Sequence, residues 1–196
     1  MKVLVINAHL KYPNWSEGTL NQAMMDVAKS VFSEHGHTIT ETYIEQGYIP
    51  EAEVKKHLDA DLVILQTPIN WFGAPWIYKK YVDEVFNAGF DSKILLDNDG
   101  RKPGDTGERY GTGGHMQGKK FMIAATWNAP RDAFDNFNGY LLEGKSVADL
   151  LLSITSNYKF VGYDILPSYG VYDIYRKVDG IAKGVEEYKK HLSKAF

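Results

Sequence analysis

Residues Asp61 to Pro68 read DLVILQTP, and Pro68 to Trp76 continue as PINWFGAPW. The first stretch is apolar at every position from Leu62 to Leu65. A strand with one face in water would alternate, so this is the pattern of a strand covered on both faces, as in a parallel sheet. Two further runs share it: KVLVINA, Lys2 to Ala8, and KKFMIAATW, Lys119 to Trp127. Between them lie segments with helical spacing. GTLNQAMMDVAKSVFSEHG places Leu20, Met24, Val27, Ala28 and Val31 on one face, with Gly36 where a left-handed C-terminal cap belongs. AEVKKHLDA, Ile77 to Ala88 (with Tyr81, Val85 and Phe86 toward the core), VADLLLSITSNY and the terminal GIAKGVEEYKKHLSKAF read as helices too. HTITETYI, His37 to Ile44, alternates like a strand near an edge, and FVGYDILPSYGVY reads as a last strand with an extension.

Strands alternating with helices predict an α/β fold, a flavodoxin-like doubly wound five-stranded parallel sheet with helices on both faces. One domain over residues 1–196 is expected, interrupted from Gly89 to Gly118, where periodicity fails in a segment rich in Gly, Pro and charge. A structureless stretch of that length inside a compact domain points to a lid or a subunit arm. Its apolar Ile94-Leu95-Leu96 is the expected anchor.

Composition removes several classes of function. The net charge is −3, with no clustering of Lys and Arg to suit nucleic acid or an anionic membrane. There is no cysteine, which excludes disulfides, thiolate nucleophiles and iron–sulfur or cysteine–zinc sites, and fits a cytoplasmic protein. MKVLVINAHL enters a strand directly and does not resemble a signal peptide, and no eighteen apolar residues run together to span a membrane. His35 and His37 of HGH alternate and cannot share a helical metal face, so no metal site is expected. There is no GxSxG elbow, GxGxxG fingerprint or P-loop.

In an open parallel sheet the ligand sits beyond the carboxyl ends of the strands, where strand order reverses. That rule selects three loops. NAHLKYPNWSEGTLN brings Ser16, Gly18, Thr19 and Asn21 to a helix start, where free N–H groups and the dipole favour a phosphate; equally, Ser16 or Thr19 simply caps the helix. His9 is either a cation beside the phosphates or a strand-end histidine. In PINWFGAPW, Trp71 and Phe72 offer a flat apolar wall, and the peptides around Asn70 and Gly73 can meet a polar ring edge; the alternative is an aromatic plug on the core. TWNAP, Thr126 to Pro130, repeats the pattern.

PxxWFGxP, with SxGxLN before it and YGTGG…TWNAP after, resembles the FAD-dependent NAD(P)H quinone reductases, most closely the branch called modulator of drug activity B. The resemblance implies non-covalent FAD, NADPH or NADH as donor, a quinone as acceptor, two-electron ping-pong transfer and a homodimer with the flavin at the interface. It assigns Ser16, Gly18, Thr19, Leu20 and Asn21 to the pyrophosphate. Pro68, Ile69, Asn70, Trp71, Phe72 and Gly73 fall along the isoalloxazine, with Thr126, Trp127 and Asn128 at its other side. Tyr110 lies over the reacting face as the catalytic residue, and Gly113 and His9 complete the cofactor contacts. Trp76 is expected in packing or at the dimer surface. No proton-donating histidine is identified beyond His115, and Arg101, Arg109 and Arg131 are the candidates for reading a 2′-phosphate. Two other classes stay open: a one-electron flavodoxin, against which the long arm argues, and a non-catalytic regulatory subunit of a transporter.

Overall fold

Every run that is apolar throughout becomes a central strand, because only there are both faces covered. The computed structural model describes the backbone of residues 1–196 and every side chain except that of Val178. Strands β1 (Lys2–Asn7), β3 (Leu62–Pro68) and β4 (Lys120–Thr126) lie side by side, with β2 (Thr38–Tyr43) outside β1. All pairings are parallel, with Val5 opposite Ile64 and Ile64 opposite Met122. Beyond β4, the expected last strand is two short ones, β5 (Asp164–Ile165) and β6 (Tyr169–Val171), each paired to a different part of β4. Pro167 stands between them and has no N–H to donate, so the ladder stops after the Leu166 amide bonds Phe121. The sheet therefore holds five positions and six strands, in the order β2-β1-β3-β4 followed by β5 and β6.

Side chains of the central strands alternate between two cores. Leu4, Ile6, Val63, Leu65, Phe121 and Ile123 face α2 (Pro50–Asp59), α3 (Trp76–Asp91) and α5 (Leu152–Phe160), which follows α4 (Val147–Leu150) across a break at Leu151. Val3, Val5, Leu62, Ile64 and Met122 face α1 (Thr19–Glu34) and α6 (Val178–Ala195), which pack beside one another. Gly36 has φ +73°, with the His37 amide bonded to Phe32 and its own to Ser33, the paired bonds of a Schellman C-cap. Residues 92–118 carry one short 3-10 turn at Gly107–Arg109, and Leu95 and Leu96 bury as the anchor. Helix α3 runs two residues past Gly89, whose missing side chain leaves room for Leu95.

One core contains a polar relay. His57 is fully buried; its Nδ1 is 3.0 Å from the Tyr163 hydroxyl and its Nε2 3.1 Å from that of Tyr81. Tyr81 donates to the Glu53 carboxylate at 3.0 Å, which Thr42 and Lys56 also satisfy at 2.7 and 2.6 Å. Because a carboxylate only accepts, Nε2–H donates to Tyr81 and Nδ1 accepts from Tyr163. Burial pushes the His57 pKa down to about 3. Below the ordinary histidine range the unfolded chain takes up a proton that the folded chain refuses, so this contribution to stability is complete above pH ~6.5 and declines toward pH ~3. We expect thermal melts to show stability falling between pH 6.5 and 4, and His57→Gln to remove up to about 1.4 kcal/mol per pH unit of that slope. An unchanged slope would contradict the buried neutral histidine.

Candidate functional site

Beyond the exposed Lys2 and Lys120 that open β1 and β4, polar residues enter the central strands at their carboxyl ends: Asn7 on β1, Gln66 and Thr67 on β3, Thr126 on β4. Two of them, Asn7 and Gln66, lock the start of α1 to the sheet through Asn21. Asn21 donates to Asn7 Oδ1 at 2.7 Å, Gln66 donates to Asn21 Oδ1 at 3.1 Å, and the His9 amide donates to Asn7 Oδ1 at 2.9 Å. The N-cap of α1 is Gly18, at φ +84°, with no side chain to cap the helix. Ser16 is not a cap either: its hydroxyl lies 3.1 Å from His9 Nε2. The capping reading is thereby set aside, and the first amides of α1 remain available to a ligand. Gly18 presses on the His9 ring so closely that an added Cβ would sit 2.7 Å from Cε1. Burial lowers the His9 pKa, and the field of Glu45 opposes that shift.

The loop after β3 is a two-residue turn. Asn70 N–H donates to the Gly73 carbonyl at 2.8 Å and Gly73 N–H to that of Asn70 at 3.1 Å, leaving Trp71 (φ +49°) and Phe72 (φ +67°) as central residues. Two positive φ angles in succession mark a type I′ turn, which prefers Asn-Gly. Here it carries two large aromatics, and Trp71 is 91% exposed. A strained turn that holds out an uncovered indole is a feature of binding sites.

These loops and the one after β4 enclose a cleft of about 1120 Å³. It is lined by His9, Ser16, Gly18, Thr19, Leu20 and Asn21 at the α1 end, by Pro68, Ile69, Asn70, Trp71 and Phe72 on one side, and by Thr126, Trp127 and Asn128 on the other. Trp127 itself is only 2% exposed: it packs edge-on against Phe134 and parallel to Tyr172, and its Nε1–H has no partner among the described residues. Of the expected contacts, Gly73, Tyr110 and Gly113 do not line the cleft. Gly73 closes the aromatic turn. Gly113 is needed where it is because its backbone lies against Asn98 and Gly100, leaving no room for a Cβ. Tyr110 is 60% exposed on the arm, its ring 5.3 Å from Phe160 and 5.3 Å from the Arg101 guanidinium. Trp76 lies on the surface.

The named arginines are engaged elsewhere: Arg101 with Asp99, Arg109 with Asp105, Arg131 with Asp135. His115 pairs with Asp97 on the arm at 3.6 Å. The arginine that does line the cleft is Arg176, beside Tyr175 and Asp173, together with Tyr140 and Leu141 from the segment after TWNAP. Sequence reasoning passed over all of these; the exposed aromatics of DNFNGYLL were the available signal. Chemically, the cleft offers free helix amides for an anion at one end and an aromatic wall for a planar ring at the other.

Replacing Trp71-Phe72 by Asn-Gly should remove the strain at little loss of burial. The ligand-free protein is expected to gain about 1–3 kcal/mol, a melting point higher by some 2–4 °C per kcal/mol; a lower melting point would show that the aromatics support the fold.

A family profile described as a flavodoxin-like fold matches residues 1–194. Over 196 residues the chain is 38% identical to NADPH:quinone oxidoreductase MdaB of Haemophilus influenzae, covering all of both proteins. It is 39% identical over 198 residues to an uncharacterised protein of Schizosaccharomyces pombe, covering 100% of this chain and 97% of that one. A solved structure from Klebsiella pneumoniae, 24% identical, superposes with a TM-score of 0.79 over 100% of this chain and 85% of its own, a likeness of fold. The chain therefore belongs to the flavodoxin-like fold family, in its modulator of drug activity B branch.

Proposed function

We propose that the chain is a flavin-dependent NAD(P)H:quinone oxidoreductase, and the observation that carries the reading is one cleft joining an uncapped helix start to a strained aromatic turn. The end-to-end similarity to the Haemophilus influenzae NADPH:quinone oxidoreductase supports it. The residues present fit a flavin. The free amides of Thr19, Leu20 and Asn21 suit its phosphates, a planar wall at Trp71 and Phe72 suits its ring, and the unpartnered Trp127 indole N–H is a spare donor at the cleft.

Overall, NAD(P)H, a proton and a quinone give NAD(P)⁺ and a hydroquinone, two electrons moving together. When bound, a flavin would supply the hydride-accepting and two-electron redox chemistry that the side chains lack. The chain's own part is to bind, orient and shield. Ser16 and the α1 amides hold the anionic end, Trp71 and Phe72 restrict the ring to one plane, and Trp127 closes the floor against water. Tyr110, outside the cleft of its own chain, requires a second copy to reach a ring there; the reading is accordingly of a homodimer with Tyr110 of one subunit over the site of the other. The flavin is read as FAD on the resemblance of PxxWFGxP, SxGxLN and YGTGG…TWNAP to the FAD-dependent quinone reductases, with the adenine beside a partner subunit.

The purified protein should show flavin absorption that NADPH bleaches and menadione restores; a colourless protein inert to both would overturn the proposal. Heat should release FAD, and release of FMN would overturn that part. Trp71→Ala should weaken flavin retention, a stacked aromatic being worth roughly 1–3 kcal/mol, with flavin content per subunit as the check. Tyr110→Phe should lower turnover more than flavin content, and equal losses would contradict its placement over the reacting face.

A further inference from the structure

The segment running from β4 into α4 gives the cleft an apolar chamber. Ala133, Phe134, Tyr140, Leu141, Leu142 and Leu150 line it. Its floor is buried, with Phe134 3% exposed and Leu142 also covered, while at its mouth Tyr140 is 97% exposed and Leu141 open to solvent. Six charged residues occur between β4 and the end of α4, Arg131, Asp132, Asp135, Glu143, Lys145 and Asp149, and none of them lines the cleft. Arg131 pairs with Asp135 at 3.0 Å and Asp149 is held by Ser146. The segment is folded back on itself: Asp135 N–H bonds the Lys145 carbonyl at 3.0 Å, and Gly144, at φ +85° with Phe137 against it, bonds Asn136 at 3.0 Å. The chamber is thus an apolar surface in the same cleft that Ile69, Trp127 and Trp71 line.

Resting on the quinone reductase reading, we propose that this chamber takes the hydrocarbon substituent of the acceptor, so that the protein selects quinones carrying an apolar side chain, with Leu141 and Tyr140 as the specificity-determining residues at its mouth. A bare quinone ring is flat and polar at two edges and leaves the chamber unfilled. An isoprenyl chain on that ring would remove the apolar floor and its own surface from water together.

The test compares two acceptors with the same dimethoxy-methyl-benzoquinone ring, one without a side chain and one with two isoprenyl units, using the flavin-loaded protein. The isoprenyl quinone should have a kcat/KM about tenfold or more higher, carried by KM, which is the yield of burying a few methylene equivalents. Titration calorimetry without reductant should show the same ordering in affinity. Leu141→Asp should reduce the preference ratio about tenfold, and Tyr140→Ser should reduce it in the same direction. Equal kcat/KM and equal affinity for the two acceptors would overturn the proposal, as would a preference ratio untouched by both variants. Loss of flavin from Leu141→Asp, with both acceptors affected alike, would overturn it too, by giving the chamber to the cofactor. Failure of the underlying reading looks different: neither quinone is reduced by the unaltered protein.

Discussion

Three strands buried on both faces set the terms for everything else. A parallel ladder covered by helices on either side has no wet face, so β1, β3 and β4 are apolar through their middles and polar only at their ends. Asn7, Gln66 and Thr126 stand at those exits. Since all strands run the same way, the exits lie on one edge of the molecule, and the reversal of order between β1 and β3 opens a crevice there. The position of the cleft follows from burial and connectivity before any side chain in it is considered.

Burial also decides how that edge is held. Asn7, Asn21 and Gln66 bond one another in a place closed to water, where a lost bond would cost on the order of 1–3 kcal/mol and the Gln66 Oε1 is left without a partner among the described residues. In doing so they fix the first turn of α1 against the sheet and leave its amides facing the cleft. His9 and Ser16 pair with each other across the same loop, so Gly18, and not a capping hydroxyl, opens the helix. Stability and ligand capacity pull apart at this end and at the aromatic turn: an uncapped helix and two aromatics at positive φ are worse for folding than the alternatives. Both lie on the rim of one cleft.

The relay from Glu53 through Tyr81 and His57 to Tyr163 is on the other side of the sheet from α1 and takes no part in the cleft. Its work is architectural. It joins α2 to α3 and to the residue before β5, with each polar atom given a defined donor or acceptor, and a neutral imidazole is what allows the chain of bonds to run in a single direction.

Sequence alone determined the layers and their order, because an unbroken apolar run and a 3.6-residue period have only one way each to be covered. It also located the three loops and identified Trp71, Phe72, Ser16 and Thr126 as cleft residues, since aromatics and small polar groups directly after a buried strand are legible as such. It did not separate a cap from an anion site at Ser16, which turns on where His9 points. Nor did it detect that Pro167 splits the last strand, that Trp127 turns inward while Trp71 turns out, or that Arg176, Tyr140 and Leu141 reach the cleft from far along the chain. Those depend on which side chains the packed sheet brings together across 40 to 160 residues of sequence, and separation in sequence carries no local signal of nearness in space.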